Sequence, residues 1–194
     1  MDFNQLKNIS SEEWDNLNSE NTIWIRVGYG ASGQAAGAEE IFNLLKDLSS
    51  DNENIIISLV GSMGLSYAEP LIDIKSNDGI RVFYNNVTPD ITKEIYNYLI
   101  QKNIPLSKYV FGQIVPNGRN PIDGIPELDK IEPLKYTKQI ATKNFGNISP
   151  TNIKHYIANG GLNLGIDLLP SIASINAVSS PATYESPVKE TSTS

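Results

Sequence analysis

Two hydroxyls in one loop carry the most chemical potential in this chain. Ser62 and Ser66 lie in Gly61-Ser-Met-Gly-Leu-Ser-Tyr-Ala-Glu-Pro70, spaced Ser-x3-Ser. A third, Ser32, lies in the glycine-rich turn Gly28-Tyr-Gly-Ala-Ser-Gly-Gln-Ala-Ala-Gly37. There is no cysteine, so disulfides, thiol catalysis and thiolate metal sites are excluded. Ser32 could be a nucleophile, but His155 is the only histidine and no spacing supports a Ser-His-Asp triad. A packed or exposed helical role is the plainer reading of His155. Glu39, Glu40, Glu69 and Asp73 show no pairing typical of acid–base catalysis. The turn at 28–37 has the outline of a dinucleotide loop. Yet the following strand ends Leu59-Val60-Gly61, without the acid a Rossmann unit places there. A strand-to-helix turn packed through small residues is the plainer alternative.

Composition narrows the classes further. The 194 residues suit one domain with tails, and 40% hydrophobic content suffices for a core. A net charge of −7 disfavours nucleic acid. The apolar runs Ile55–Val60 and Leu162–Val178 are too short or too interrupted to span a membrane. The start has no apolar signal core, so the Asn-x-Ser/Thr matches at Asn8, Asn86 and Asn147 read as chance. The expectation is a cytoplasmic protein, or one peripheral to a membrane complex.

These residues need elements to position them. Phe3, Leu6, Ile9, Trp14 and Leu17 predict one or two short helices within 1–21, with Ser10 or Ser11 as a cap. Thr22–Gly28 and Asn54–Val60 read as strands, joined by a helix over Gln34–Leu48. Leu71–Ile74 and Ile80–Phe83 form a hairpin around Asn77-Asp78-Gly79. Thr88 caps, and Pro89 opens, a helix ending near Lys102. This β-α-β-β-β-α order over 22–103 predicts a thioredoxin-like α/β sandwich, a mixed sheet flanked by helices. Residues 104–135, rich in proline, read as an extended linker or arm. A small α/β extension spans 136–178, with a short strand at Tyr136–Thr142 and a helix from Ser149 or Pro150 to Ala158. The polar tail 179–194 is expected to be disordered.

Several separated segments then point one way. They are Ile25-Arg-Val-Gly28, Gly33-Gln-Ala-Ala-Gly-Ala-Glu-Glu40, Gly61–Asp73, Tyr84-Asn-Asn-Val-Thr-Pro-Asp90, Asn144-Phe-Gly-Asn-Ile-Ser-Pro150 and Tyr156-Ile-Ala-Asn-Gly-Gly161. In order and rough spacing the chain resembles the N-terminal thioredoxin-like module of the NADH-binding flavoprotein subunit. Such subunits occur in NADH-quinone oxidoreductases and NAD(P)-reducing hydrogenases. The resemblance covers residues 10 to 165. It implies a [2Fe-2S] ferredoxin of the thioredoxin type, with cluster cysteines at the positions of Ser32, Ser62 and Ser66 and a further one near Gly37. None is retained. The family's flavin loop, Gly-Arg-Gly-Gly-Ala-Gly-Phe-Pro in many members, is also missing after Gly161. The expectation is therefore no 2Fe-2S cluster, no FMN or NAD domain and no activity for the chain alone. It would be a cluster-less accessory or docking module for a flavin or iron–sulfur oxidoreductase subunit. The alternatives are an electron-transfer subunit of such a complex, or a small-anion or small-ligand binder holding its ligand on backbone N–H groups near residue 34.

Overall fold

A computed structural model describes residues 2–138, 140 and 142–162. Five strands form one mixed sheet in the order β2-β1-β3-β4-β5: β1 (Ile23–Gly28), β2 (Ile55–Val60), β3 (Ile72–Lys75), β4 (Arg81–Tyr84) and β5 (Val110–Ile114). The helices are α1 (Phe3–Asn18), α2 (Ala31–Ala35), α3 (Ala38–Leu48), α4 (Pro89–Lys102) and α5 (Ile153–Ala158). β1 pairs parallel with β2 through the α2–α3 crossover and antiparallel with β3; β3 pairs antiparallel with β4, and β4 antiparallel with β5. That topology is the expected thioredoxin-like α/β sandwich.

The two faces of the sheet follow from strict alternation. On one face Ile25 faces Ile74 and Val27 faces Ile72, with Val82 and Tyr84 beyond. These pack against Ile41 and Leu45 of α3 and Ile95 and Leu99 of α4 to make the main core. The other face carries Trp24, Arg26, Asp73, Lys75, Arg81 and Phe83 in register. Unusually for a buried face, four of these six are charged. α1 and α5 pack on each other over this side, with Trp14 of α1 and His155 of α5 on Trp24.

Five features differ from expectation. The helix expected over Gln34–Leu48 starts at Ala31 and is broken at Gly37, whose φ of 97° is left-handed, giving α2 and α3. The N-terminal segment is one 16-residue helix capped by Asp2 and Gln5, not by Ser10 or Ser11. Ser10 sits inside that helix, bonded to the Leu6 carbonyl. The stretch 104–135, read as an arm, supplies β5. β5 pairs with β4 at a register shift near Phe83 and Tyr84, an irregularity that hides period-2 patterning. Where Tyr136–Thr142 suggested a strand, Leu134–Tyr136 forms a 3₁₀ turn and the other described residues form no strand. α5 begins at Ile153, capped by Asn152 rather than by Ser149 or Pro150. The tail 179–194 and the segment 163–178 lie outside the described residues.

Candidate functional site

The loop between β2 and β3 is drawn against the end of β1. Tyr29 N–H donates to the Val60 carbonyl and Gly28 N–H to that of Leu71. The first turn of α2 presses on the same point: a Cβ on Gly33 would stand 2.4 Å from the Gly28 carbonyl oxygen. A Cβ on Gly30 would stand 2.5 Å from Ser62 Cβ. Glycines are thus required where the turn, the helix and the loop converge.

The space they leave holds the carboxyl of Glu69. Its Oε2 lies 3.2 Å and 3.3 Å from where Gly28 and Gly33 would carry Cβ atoms. Ser62 Oγ donates to Glu69 Oε1 at 3.2 Å, and Leu71 N–H donates to Oε2 at 3.1 Å. Ser62 Oγ in turn accepts from Gly64 N–H at 3.1 Å. Glu69 is 8% exposed, and burial pushes its carboxyl above the usual range against the opposing pull of these two bonds. The sequence flagged Glu69 only as an acid without a partner. The signal that could have found its role is the trio Gly28, Gly30 and Gly33 facing a loop with one hydroxyl and one carboxyl.

The four residues picked out by the resemblance are placed unequally. Ser62 touches the β1–α2 turn through Gly30, and Ser32 follows two residues later in the first turn of α2. Ser66 is exposed and opens the 3₁₀ turn Ser66–Ala68. Gly37 ends the α2 segment, with nothing within 4 Å of its would-be Cβ. These groups do not fit a [2Fe-2S] cluster. Such clusters are held by thiolates, whereas Ser62 is committed to Glu69 and Gly37 has no side chain. Among the described residues no three His, Asp or Glu converge as around a metal ion. An anion against α2 is opposed too, because α2 has five residues and the Glu69 carboxyl already faces its first turn.

A strap of residues 144–149 ties this loop to the charged sheet face. Gly146 N–H donates to the Gly61 carbonyl at 3.0 Å, and Gly61 N–H to that of Ile148 at 3.3 Å. Met63 lies so close that a Cβ on Gly146 would meet its Cγ at 2.3 Å. From the same strap, Asn147 Oδ1 accepts from Arg26 Nη1 and Arg81 Nη1, and the Gly146 carbonyl from Arg81 Nη2. Asp73 joins both arginines: Arg26 Nε at 2.8 Å on Oδ1 and Arg81 Nη2 at 2.9 Å on Oδ2. Arg26 Nη2 stands 2.7 Å from Asp73 Oδ1 but off the line of its N–H, so that nitrogen makes no aligned hydrogen bond. Burial lowers the Arg26 guanidinium to about 10, with Asp73 pulling upward and Arg81 downward. It stays charged at neutral pH, stacked 4.1 Å from the centre of the Trp24 ring.

On its outer side the loop meets the arm. Met63, Ile114, Leu128 and Leu134 line a largely apolar cleft of about 310 Å³, and Glu127 and Asp129 also line it. Tyr67 and Tyr136, 57% and 76% exposed, both bond to Glu132. Among the described residues no helix is long and apolar enough to cross a membrane.

No protein-family model matches the chain. No curated protein matches it either. Solved structures do. A thioredoxin-like [2Fe-2S] ferredoxin from Aquifex aeolicus is similar at 19% identity, covering 52% of this chain and 99% of that one, with a TM-score of 0.42. A second structure, of the wild-type ferredoxin from Aquifex aeolicus, matches at 18% identity over 47% of this chain and 98% of that one, TM-score 0.41. A cysteine-to-serine variant of that ferredoxin matches at 20% identity over 46% of this chain and 98% of its own, TM-score 0.40.

Proposed function

We propose that this chain is a cluster-less docking module, related to the thioredoxin-like part of the NADH dehydrogenase flavoprotein subunit. It would associate with an oxidoreductase complex without carrying electrons itself. One observation carries this reading. The loop expected to hold cluster ligands is closed by the Ser62–Glu69 bond, while the surface beside it offers an apolar cleft and two exposed tyrosines. Of the positions where the resemblance expects ligands, Ser62 is held by its hydrogen bond to Glu69, and none carries a thiolate to offer a cluster. The Met63–Leu128–Leu134 cleft gives a partner apolar area to bury, and aromatic side chains are favoured anchors at interfaces. The partner this reading names is a flavin or iron–sulfur oxidoreductase subunit.

Affinity capture from the native host at low salt tests it, with bound proteins identified by mass spectrometry. The expected result is recovery of such a subunit, reduced at least about tenfold by Tyr67→Ala with Tyr136→Ala, the effect of losing interface anchors. Both tyrosines are exposed, so the double variant should stay folded. Recovery of no redox protein, or equal recovery by the variant, would count against the proposal.

A further inference from the structure

His155 is the chain's one histidine, and its surroundings are specific. Ser149 N–H, which can only donate, points at His155 Nδ1 at 3.1 Å. Nδ1 must therefore be the unprotonated acceptor, and the ring's proton sits on Nε2. Nε2 faces Glu13 Oε1 of α1 at 3.5 Å. Glu13 in turn binds Asn152 Nδ2 and Lys154 Nζ, each at 2.7 Å. The ring is 4% exposed and packs edge-on against Trp14 and Trp24. The charged groups around it are Glu13 from α1, Lys154 from its own helix and, behind Trp24 on β1, Arg26. Residues 144–149 contribute no titratable side chain.

We propose that His155 is a pH-sensitive latch whose protonation releases the 144–149 strap from the sheet and from the Gly61–Met63 loop. A second proton has only Nδ1 to bind. It would set an N–H against the N–H of Ser149, turning a hydrogen bond into a donor–donor contact. Ser149 closes the strap whose Gly146 and Ile148 hold Gly61, and whose Asn147 accepts from Arg26 and Arg81. Loss of the Ser149 bond therefore frees one end of a segment that locks the candidate site from behind. It also uncovers Arg81, 15% exposed with the strap in place. An acid environment would thus expose a cationic patch and a mobile site loop together.

The direction of titration agrees. Burial lowers His155 from its ordinary 6.5, Glu13 opposes this and Lys154 adds to it. The unfolded chain takes up its proton first. This contribution to stability is thus intact above pH 6.5 and is lost as pH falls from 6.5 towards the folded value.

Amide hydrogen exchange on the full chain between pH 7.5 and 5.0, corrected for intrinsic rates, tests the latch. The same samples report the ring resonances of His155, which need no assignment among histidines. The amides of Gly61, Gly146 and Ser149 should lose protection by up to about tenfold per pH unit as pH falls from 6.5 towards the folded ring's own titration, and level off below it, the behaviour of a single linked proton. Those of Ile25 and Ile74 in the central strands should hold. His155→Gln, which cannot titrate, should flatten the profile. If that variant does not fold, the unmodified chain still decides: Ser149 protection must fall between pH 6.5 and the pH at which the ring resonances titrate. Protection unchanged across that interval, an unaltered profile in the glutamine variant, or equal loss at Ile25 and Ile74 would overturn the proposal.

Discussion

At the scale of single residues, Glu69 decides what the candidate site can do. A carboxyl buried beside glycines and met by one hydroxyl and one N–H is satisfied but poorly solvated. Its raised titration means the folded protein takes up this proton more readily than the unfolded chain. Its ionised form therefore costs stability above the folded value, and the cost fades as pH falls towards 4.5. Glu69→Gln removes the charge and can keep its carbonyl oxygen on Leu71 N–H, while its amide N–H turns to Ser62 Oγ, which then accepts. We expect it to raise stability at pH 7 by about 1 kcal/mol, the scale of one net buried hydrogen bond. Urea unfolding at pH 7 and 5 checks this, and the gain should shrink at the lower pH. A destabilised Gln variant at pH 7 would mean the charge itself holds the loop. The sequence singled out Ser62 by its spacing from Ser66, whereas the bond of Ser62 to Glu69 was not legible. The pair lies seven positions apart, and only the folded loop brings the carboxyl back to the hydroxyl.

At the scale of elements, the alternation of β1, β3 and β4 was legible because each side chain's face follows from period 2. The hairpin turn was legible as well: Asp78 Oδ1 accepts from Ile80 N–H, and Gly79 adopts a φ of 83°. The break between α2 and α3 was not. The apolar positions Ala35, Ala38, Ile41 and Leu45 keep helical spacing straight through Gly37, and one left-handed residue leaves that spacing unchanged. β5 escaped because its pairing with β4 slips, and because Gln113 points inward to bond the carbonyls of Ile122 and Ile125. A polar residue in a strand core reads as loop. The burial of the charged sheet face escaped for another reason: Arg26 and Asp73 lie in segments that read as strands, but they become a core pair only under the strap above them. Gly33 tests how tightly α2 seats on β1. Its Cβ would meet backbone, the Gly28 oxygen, so Gly33→Ala must displace the helix. A loss of about 1–3 kcal/mol is expected in thermal or urea unfolding, the cost of overpacking. An unchanged midpoint would mean the turn is loose.

At the scale of the whole molecule, a thioredoxin-like sandwich holds three linked parts: a closed site loop, a strap over a charged sheet face, and an apolar cleft on the arm. Each part bonds or packs against the next through Gly61, Met63 and Gly146. Under the proposed reading, in which Ser32, Ser62, Ser66 and Gly37 stand at former ligand positions, this scaffold serves docking rather than electron transfer. The claim beneath this account is that Ser32, Ser62 and Ser66, with Gly37, occupy a former cluster site on an intact scaffold. The most direct measurement is anaerobic iron–sulfur reconstitution of Ser32→Cys/Ser62→Cys/Ser66→Cys, with and without Gly37→Cys, beside the unmodified chain. The account predicts that the unmodified chain takes up no cluster. It predicts that the restored protein gains the visible absorbance and iron and sulfide content of a [2Fe-2S] centre. Gly37→Cys should bind it at some cost in stability, because the left-handed backbone there disfavours a side chain. A folded four-cysteine protein that takes up no cluster would contradict the site assignment, and a cluster on the unmodified chain would contradict the docking reading.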